Sequence, residues 1–231
     1  EFSMLNNDLK LKFMKKDGDK IRNNDVIIEI NGNARKILER ERTSLNLLQR
    51  MSGIATLTDS LNKKLGKIKI AATRKTLWGL ADKKGVSIGN GLTHRLSLND
   101  GILIKDNHLK LMGYDFDKAI NLTKRKSKYI EMEVEDKKQA LKAAVAARKS
   151  IKKFKNKNLF AIMLDKIKPS DIKSAINELK GKNLYDGILL EASGNINTDN
   201  IMEYKDCGVD IISMGSLTNS AKVLNMSLEV K

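Results

Sequence analysis

Residues 73–108 read TRKTLWGLADKKGVSIGNGLTHRLSLNDGILIKDNH, and in that stretch Arg74, Lys75, His94, Arg95, Lys105 and His108 gather cationic or proton-carrying groups between short apolar runs. Glycines and a Thr-rich turn lie beside them, so the backbone is able to bring these groups into one pocket, and a pocket of that charge suits a polyanion. Acids recur further on. Glu131 and Glu133 stand two apart in a strand-like run and so project to one side of it, while Asp165 closes another such run.

Residues this far apart need a scaffold, and the hydrophobic pattern describes one. Leu9, Leu11 and Phe13 alternate, a turn follows at Lys15–Gly18, and a strand-like Asp25–Ile30 closes on Asn31-Gly32, which is hairpin chemistry. From Ala34 to Leu65 the apolar residues Ile37, Leu38, Leu45, Leu48, Met51, Ile54 and Leu57 return every three or four positions, predicting one long helix that Gly53 either kinks or packs closely. Strands are then predicted over Ile68–Thr73, Val86–Ile88, Ile102–Ile104, Tyr129–Val134, Phe160–Leu164, Gly187–Glu191 and Ile211–Met214. Helices are predicted over Lys137–Lys153 and Pro169–Leu179, the second opened by Pro169 and Ser170. Such alternation predicts a parallel sheet covered by helices, closed into a barrel; no GxGxxG follows the first strand to favour the open doubly wound alternative. In a barrel the strand ends meet at one mouth, and Arg74, Lys75, Lys105, Asp165, Ser193, Gly194 and Gly215 all follow predicted strands. With Glu131 and Glu133 turned into the lumen, two carboxylates would face the basic residues across it.

Composition bounds the possibilities. The chain has 231 residues, 41% of them hydrophobic, enough for a substantial core plus a smaller piece. Lysine and arginine number 44 against 28 acids, a formal net charge of +16 that makes phosphates, carboxylates or nucleic acid plausible partners and equally describes a solvated, lysine-rich surface. Aromatics are only 4%, leaving few stacking platforms for bases, so nucleic-acid binding is the weaker expectation. The single cysteine, Cys207, forms no internal disulfide or Cys-based metal site and fits a reducing, cytoplasmic setting. Neither a membrane span nor a signal sequence is expected, and Glu1 in place of a methionine suggests sequence missing ahead of it.

The segments ERTSLNLLQRMSGIAT (41–56), TRKT (73–76), GLTHR (91–95), LIKDNH (103–108), EMEVE (131–135), MLDK (163–166), LEASGNIN (190–197) and GVDIISMGSLTNS (208–220) resemble, in order and over nearly the whole chain, quinolinate phosphoribosyltransferase, the carboxylating nicotinate-nucleotide pyrophosphorylase. That resemblance implies a small N-terminal open-faced α/β sandwich, partial here and with its long helix spanning 1–65, followed by an incomplete parallel α/β barrel over 66–231 whose last residues pack back on the first part. It implies a homodimer with shared sites, and a reaction joining quinolinate to phosphoribosyl pyrophosphate with loss of pyrophosphate and carbon dioxide to give nicotinate mononucleotide, in NAD biosynthesis.

By the same resemblance Arg42, Arg74, His94 and Arg95 grip quinolinate, with Arg42 reaching in from the partner, and Lys75 and Lys105 neutralise phosphate and pyrophosphate. Glu133 and Asp165 hold the ribose hydroxyls and Mg2+, whereas Ser193, Gly194, Gly215 and Asn219 cradle a phosphate. Lys105, Glu133 and Asp165 are the expected catalytic groups. Each has a plainer reading: Arg42 as a solvated helix residue, His94 and His108 as structural hydrogen-bonders, Asp165 as a helix cap. The chain departs from the family at Trp78 for proline, near Ala81 for a basic residue, at Asn90 for glycine and at Asn219 for histidine, and the last two predict altered affinity rather than lost chemistry. A relative acting on nicotinate or another small aromatic acid, and an inactive anion-binding relative, are the alternatives.

Overall fold

The structure is a computed structural model, which describes residues 9–123, 126–154 and 159–230. Strand β1 (Lys10–Phe13) pairs antiparallel with β2 (Ile28–Asn31), Lys10 opposite Asn31 and Phe13 opposite Ile28. The second strand is shorter than the Asp25–Ile30 expectation. The Asp25 carboxylate accepts the Arg22 N–H at 3.0 Å and pairs with Lys15 at 3.1 Å, which holds the chain in a loop until Ile28. Helix α1 (Ala34–Leu65) starts where Asn33 Oδ1 accepts the Lys36 N–H at 3.3 Å and stops at Gly66, whose φ of 68° a side chain would resist.

Beyond α1 come β3 (Lys69–Ala72), α2 (Leu80–Ile88), β4 (Ile102–Ile104), α3 (Asp106–Leu111), α4 (Phe116–Thr123), β5 (Tyr129–Val134), α5 (Lys137–Phe154), β6 (Leu159–Asp165), α6 (Pro169–Gly181), β7 (Ile188–Ser193), a 3-10 turn (Ile201–Tyr204), β8 (Ile211–Met214) and α7 (Ser216–Asn219). The six strands are parallel in the order β3-β8-β7-β6-β5-β4. Leu92 prolongs the curl past β3, its N–H on Ile70 O at 2.8 Å and its carbonyl taking the Ala72 N–H at 2.9 Å. Since β4 and β3 are not paired, the barrel is incomplete.

Val86–Ile88, expected as a strand, is the last turn of α2. Its β-branched run is overridden by packing on α1: a Cβ on Gly85 would stand 2.9 Å from Met51 O, and one on Gly89 2.4 Å from Ala55 O. Backbone contact that close needs a helix face of glycines, and the valine and isoleucine fill the space around it.

Both faces of the barrel strands are buried, which sorts their residues. On β5, Ile130, Met132 and Val134 have no solvent exposure and lie in the apolar core with α5 and α6, burial worth about 1.5–3 kcal/mol per side chain. Glu131 and Glu133 therefore project into the lumen, and a one-residue slip would drive both acids under the helices. The C-terminal segment runs along α1: Leu224 N–H donates to Gln49 O at 3.1 Å, and Gln49 Nε2 donates to Met226 O at 2.8 Å. Gly53 makes this contact possible, since a Cβ there would lie 1.9 Å from Lys222 O. Among the described residues no helix is long and apolar enough to cross a membrane.

Candidate active site

A buried ion pair fixes the first loop of the mouth. Arg50 on α1 donates through Nε to Asp82 Oδ1 at 2.6 Å and through Nη2 to Asp82 Oδ2 at 3.0 Å, and also to the Thr218 carbonyl. Asp82 on α2 in turn accepts the N–H groups of Leu77 at 2.9 Å and Trp78 at 3.1 Å, while Thr218 Oγ1 donates to Lys75 O at 2.9 Å. Burial pushes the Asp82 carboxyl up, but Arg50 and the two N–H donors outweigh it and hold it below the usual range. The segment carrying Arg74 and Lys75 is thus tied to α1, α2 and α7. Trp78 explains itself here: a proline would have no N–H for Asp82, and the indole lies 5.9 Å from the Arg50 guanidinium. Asn90 stands at φ 61°, a conformation asparagine tolerates, with its carbonyl accepting from Asn62 Nδ2 at 2.9 Å. Nothing in the structure explains Ala81.

One side of the mouth sets lysine and asparagine side chains over glycine backbone. A Cβ on Gly215 would come within 3.3 Å of Lys75 Cδ and 3.4 Å of Asn219 Nδ2, so these groups converge on a bare stretch of backbone at the end of β8. Ser193 Oγ accepts from Ser213 Oγ at 3.0 Å across β7 and β8. Gly194 follows at φ 87°, with the position of a Cβ only 2.6 Å from Asp165 Oδ1. Glu133 receives Lys105 Nζ at 2.7 Å, and Asp165 pairs with Lys166 at 3.3 Å. His108 is structural: its Nδ1 accepts the Lys105 N–H at 2.9 Å and caps α3, which sets the lysine's position.

The other side is a buried charge cluster. His94, at φ 55°, sets Nε2 3.0 Å from Glu131 and 3.6 Å from Glu191, while its Nδ1 accepts the Arg95 N–H at 3.0 Å. The distances suit ion pairing but the directions do not suit hydrogen bonds, and the carboxylate oxygens of both glutamates lack a directional partner. Burial works against a charge on His94, yet the two carboxylates win and raise it to about 10; burial and Glu191 push Glu131 up to about 7. The Arg95 N–H on Nδ1 favours leaving that nitrogen unprotonated. Raised values on both groups keep a proton within the His94–Glu131 pair. Their ligand atoms lie within 4.8 Å of one another, a spacing open to a metal ion, but the charges of Lys83 and Arg95 face the same carboxylates and oppose a dication there. Arg95 also donates to Gly101 O at 3.3 Å, and Tyr129 stands edge-on to His94 at 6.2 Å.

The mouth therefore brings together Arg74, Lys75, His94, Arg95, Lys105, Glu133, Asp165, Ser193, Gly194, Gly215 and Asn219. Arg42 stays apart, on an exposed part of α1 and paired with Glu41 at 3.4 Å. Two members escaped the sequence reading. Glu191 precedes Ser193 by two on β7, the same spacing that marked Glu131 and Glu133, and Lys83 looks in sequence like any other lysine.

Fold and site together define an α/β-barrel enzyme with a cation-rich mouth for anionic substrates. Residues 54–229 match the C-terminal domain of quinolinate phosphoribosyl transferase and residues 1–52 its N-terminal domain. The probable carboxylating nicotinate-nucleotide pyrophosphorylase of Methanothermobacter thermautotrophicus is 40% identical over 94% of this chain and 77% of its own length, and that of Methanocaldococcus jannaschii 42% identical over 96% and 77%. The solved nicotinate-nucleotide pyrophosphorylase of Francisella tularensis aligns with a TM-score of 0.83 at 34% identity, covering 100% of this chain and 78% of that one. The chain belongs to the quinolinate phosphoribosyltransferase family.

Proposed function

We propose that this protein transfers phosphoribosyl from phosphoribosyl pyrophosphate to the ring nitrogen of quinolinate, with decarboxylation, releasing pyrophosphate, carbon dioxide and nicotinate mononucleotide. The observation that carries the reading is the division of the mouth into two cationic halves, one of arginines around His94 and one of lysines over bare glycine backbone. Two anionic substrates repel one another unless fixed cations already stand there. Arginine's planar fork suits the ring carboxylates of quinolinate, and lysine's compact charge suits phosphate.

In this reading Arg74 and Arg95, with His94 beside them, orient the ring so that its nitrogen faces C1 of the ribose. Lys75, Asn219 and the Ser193, Gly194 and Gly215 backbone hold the phosphate, and Lys105 leaves Glu133 for the departing diphosphate. As the bond to the leaving group loosens, the sugar ring gains positive character, which the Glu133 and Asp165 carboxylates tolerate. Both are hard oxygen donors at neighbouring strand ends and fit Mg2+, which when bound would neutralise diphosphate charge. Once its nitrogen carries the ribose, the pyridinium itself stabilises the electron pair left at C2 as carbon dioxide departs, and C2 then takes up a proton to give the product. The chain's task is then orientation. Arg42 is exposed within its own chain, which goes with a homodimer in which it completes the neighbouring site. A cytoplasmic setting goes with the free, buried Cys207.

The test is product identification by mass after incubation with phosphoribosyl pyrophosphate, magnesium and either quinolinate or nicotinate. Nicotinate mononucleotide from quinolinate, with stoichiometric carbon dioxide, is the expected result. Product from nicotinate alone would replace this reading with that of a non-decarboxylating relative.

A further inference from the structure

We infer that Lys83 is an additional cation of the quinolinate half, a buried positioning residue that ties α2 to the Thr93–Arg95 turn; the inference rests on the reaction proposed above. Lys83 lies on α2, and its residue is only 4% exposed. Its ammonium donates to the carbonyl of Thr93, the residue immediately before His94 and Arg95. That bond ties α2 to the turn presenting two candidate ring-binding groups, and the turn needs tying because His94 occupies the left-handed region.

A buried ammonium requires compensation. Facing Lys83 are Arg74, just past β3, and Glu191 on β7; His94, Arg95 and Glu131 complete the surroundings, while the adjacent Asp82 is turned to Arg50. Glu191 is fully buried, without a directional hydrogen-bond partner and 3.6 Å from His94 Nε2, so its charge acts on His94 and Lys83 together. Burial and the Arg74 charge bring Lys83 down to about 8, and Glu191 opposes them. The sign follows: above that pH Lys83 loses its proton, the mouth loses one positive charge, and the hold on the Thr93 carbonyl weakens. A dicarboxylate should feel this, whereas the diphosphate half, served by Lys75 and Lys105, should not.

The experiment measures kcat/KM for quinolinate, and separately KM for phosphoribosyl pyrophosphate, from about pH 6 to about pH 10. Wild type, Lys83→Arg and Glu191→Gln are compared. The expected wild-type profile falls on an alkaline limb near pH 8. Lys83→Arg, whose charge does not titrate there, removes that limb, and Glu191→Gln moves it down by about 1 pH unit. KM for phosphoribosyl pyrophosphate changes less than about twofold throughout. A limb that coincides in all three proteins, or both KM values rising together, overturns the role of Lys83. Should Lys83→Arg fail to fold, the near-isosteric Glu191→Gln decides by the same criterion. Wild type that turns over no quinolinate overturns the reaction itself; active wild type with an unmoved limb overturns this inference alone.

Discussion

Replacing Asp82 by alanine tests whether the Arg50–Asp82 pair holds the mouth together. The carboxylate has no solvent exposure and the Arg50 side chain 10%, so the substitution strands a guanidinium in a place water barely reaches. Breaking a buried pair by deleting one partner costs about 3–5 kcal/mol. The low end applies here, because Arg50 keeps the Thr218 carbonyl, and because Leu77 and Trp78 are exposed enough for water to take over their N–H groups. A loss of about 3 kcal/mol is roughly a 100-fold shift in the folding equilibrium, readily measured by urea unfolding followed by far-UV circular dichroism. Asp82→Asn keeps an acceptor but no charge and should fall between alanine and wild type. Joint replacement by Arg50→Met and Asp82→Leu should cost less than the two single changes summed, since no lone charge remains buried. The pH dependence has a definite sign. A carboxyl held below its ordinary value contributes stability that is complete above about pH 4 and is lost as pH falls through the lower folded-state value. Were Asp82→Ala to lose under about 1 kcal/mol, or to be equally stable at pH 3 and pH 6 relative to wild type, the pair would not be the clasp described.

Lys105→Ala should lower turnover by about 100- to 1000-fold while leaving urea unfolding unchanged, because the ammonium is half exposed and its loss costs charge at the leaving group rather than core. Gly194→Ala should destabilise by roughly 1–2 kcal/mol and raise KM for phosphoribosyl pyrophosphate, since a Cβ at φ 87° meets Asp165 Oδ1 at 2.6 Å; unchanged kinetics would show that Asp165 is not needed where it stands. Mixing Arg42→Ala with Arg74→Ala should restore part of the activity through hybrid dimers, and exchange of subunits without recovery would count against a shared site.

The parts of this structure that are legible in sequence are those where local pattern and packing agree. The strand Tyr129–Val134 advertises itself because apolar and acidic residues alternate with the pleat, and the long helix because its stripe repeats over many turns. Val86–Ile88 misleads for the opposite reason: β-branched side chains favour a strand, but Gly85 and Gly89 fit the backbone of α1 so closely that tertiary contact decides. Short helices such as Asp106–Leu111 hide in the connections, because one turn and a half carries no periodicity. At the site, motif residues at strand ends could be named in advance, whereas Lys83 could not. Its meaning comes from a carbonyl ten positions away and an acid across the barrel, and neither leaves a trace in spacing.

The pairing of β3 with β8 has a consequence for synthesis. Residues Lys69–Ala72 leave the ribosome long before Ile211–Met214 exist to pair with them, so until β8 is made that flank of the first barrel strand has no partner. The bare backbone at Gly215 and the segment lying along Gly53 are made only after β8. Ribosomes stalled before Ile211 would therefore display chains whose first barrel strand keeps a bare flank, prone to pairing with a neighbouring nascent chain rather than to finishing alone.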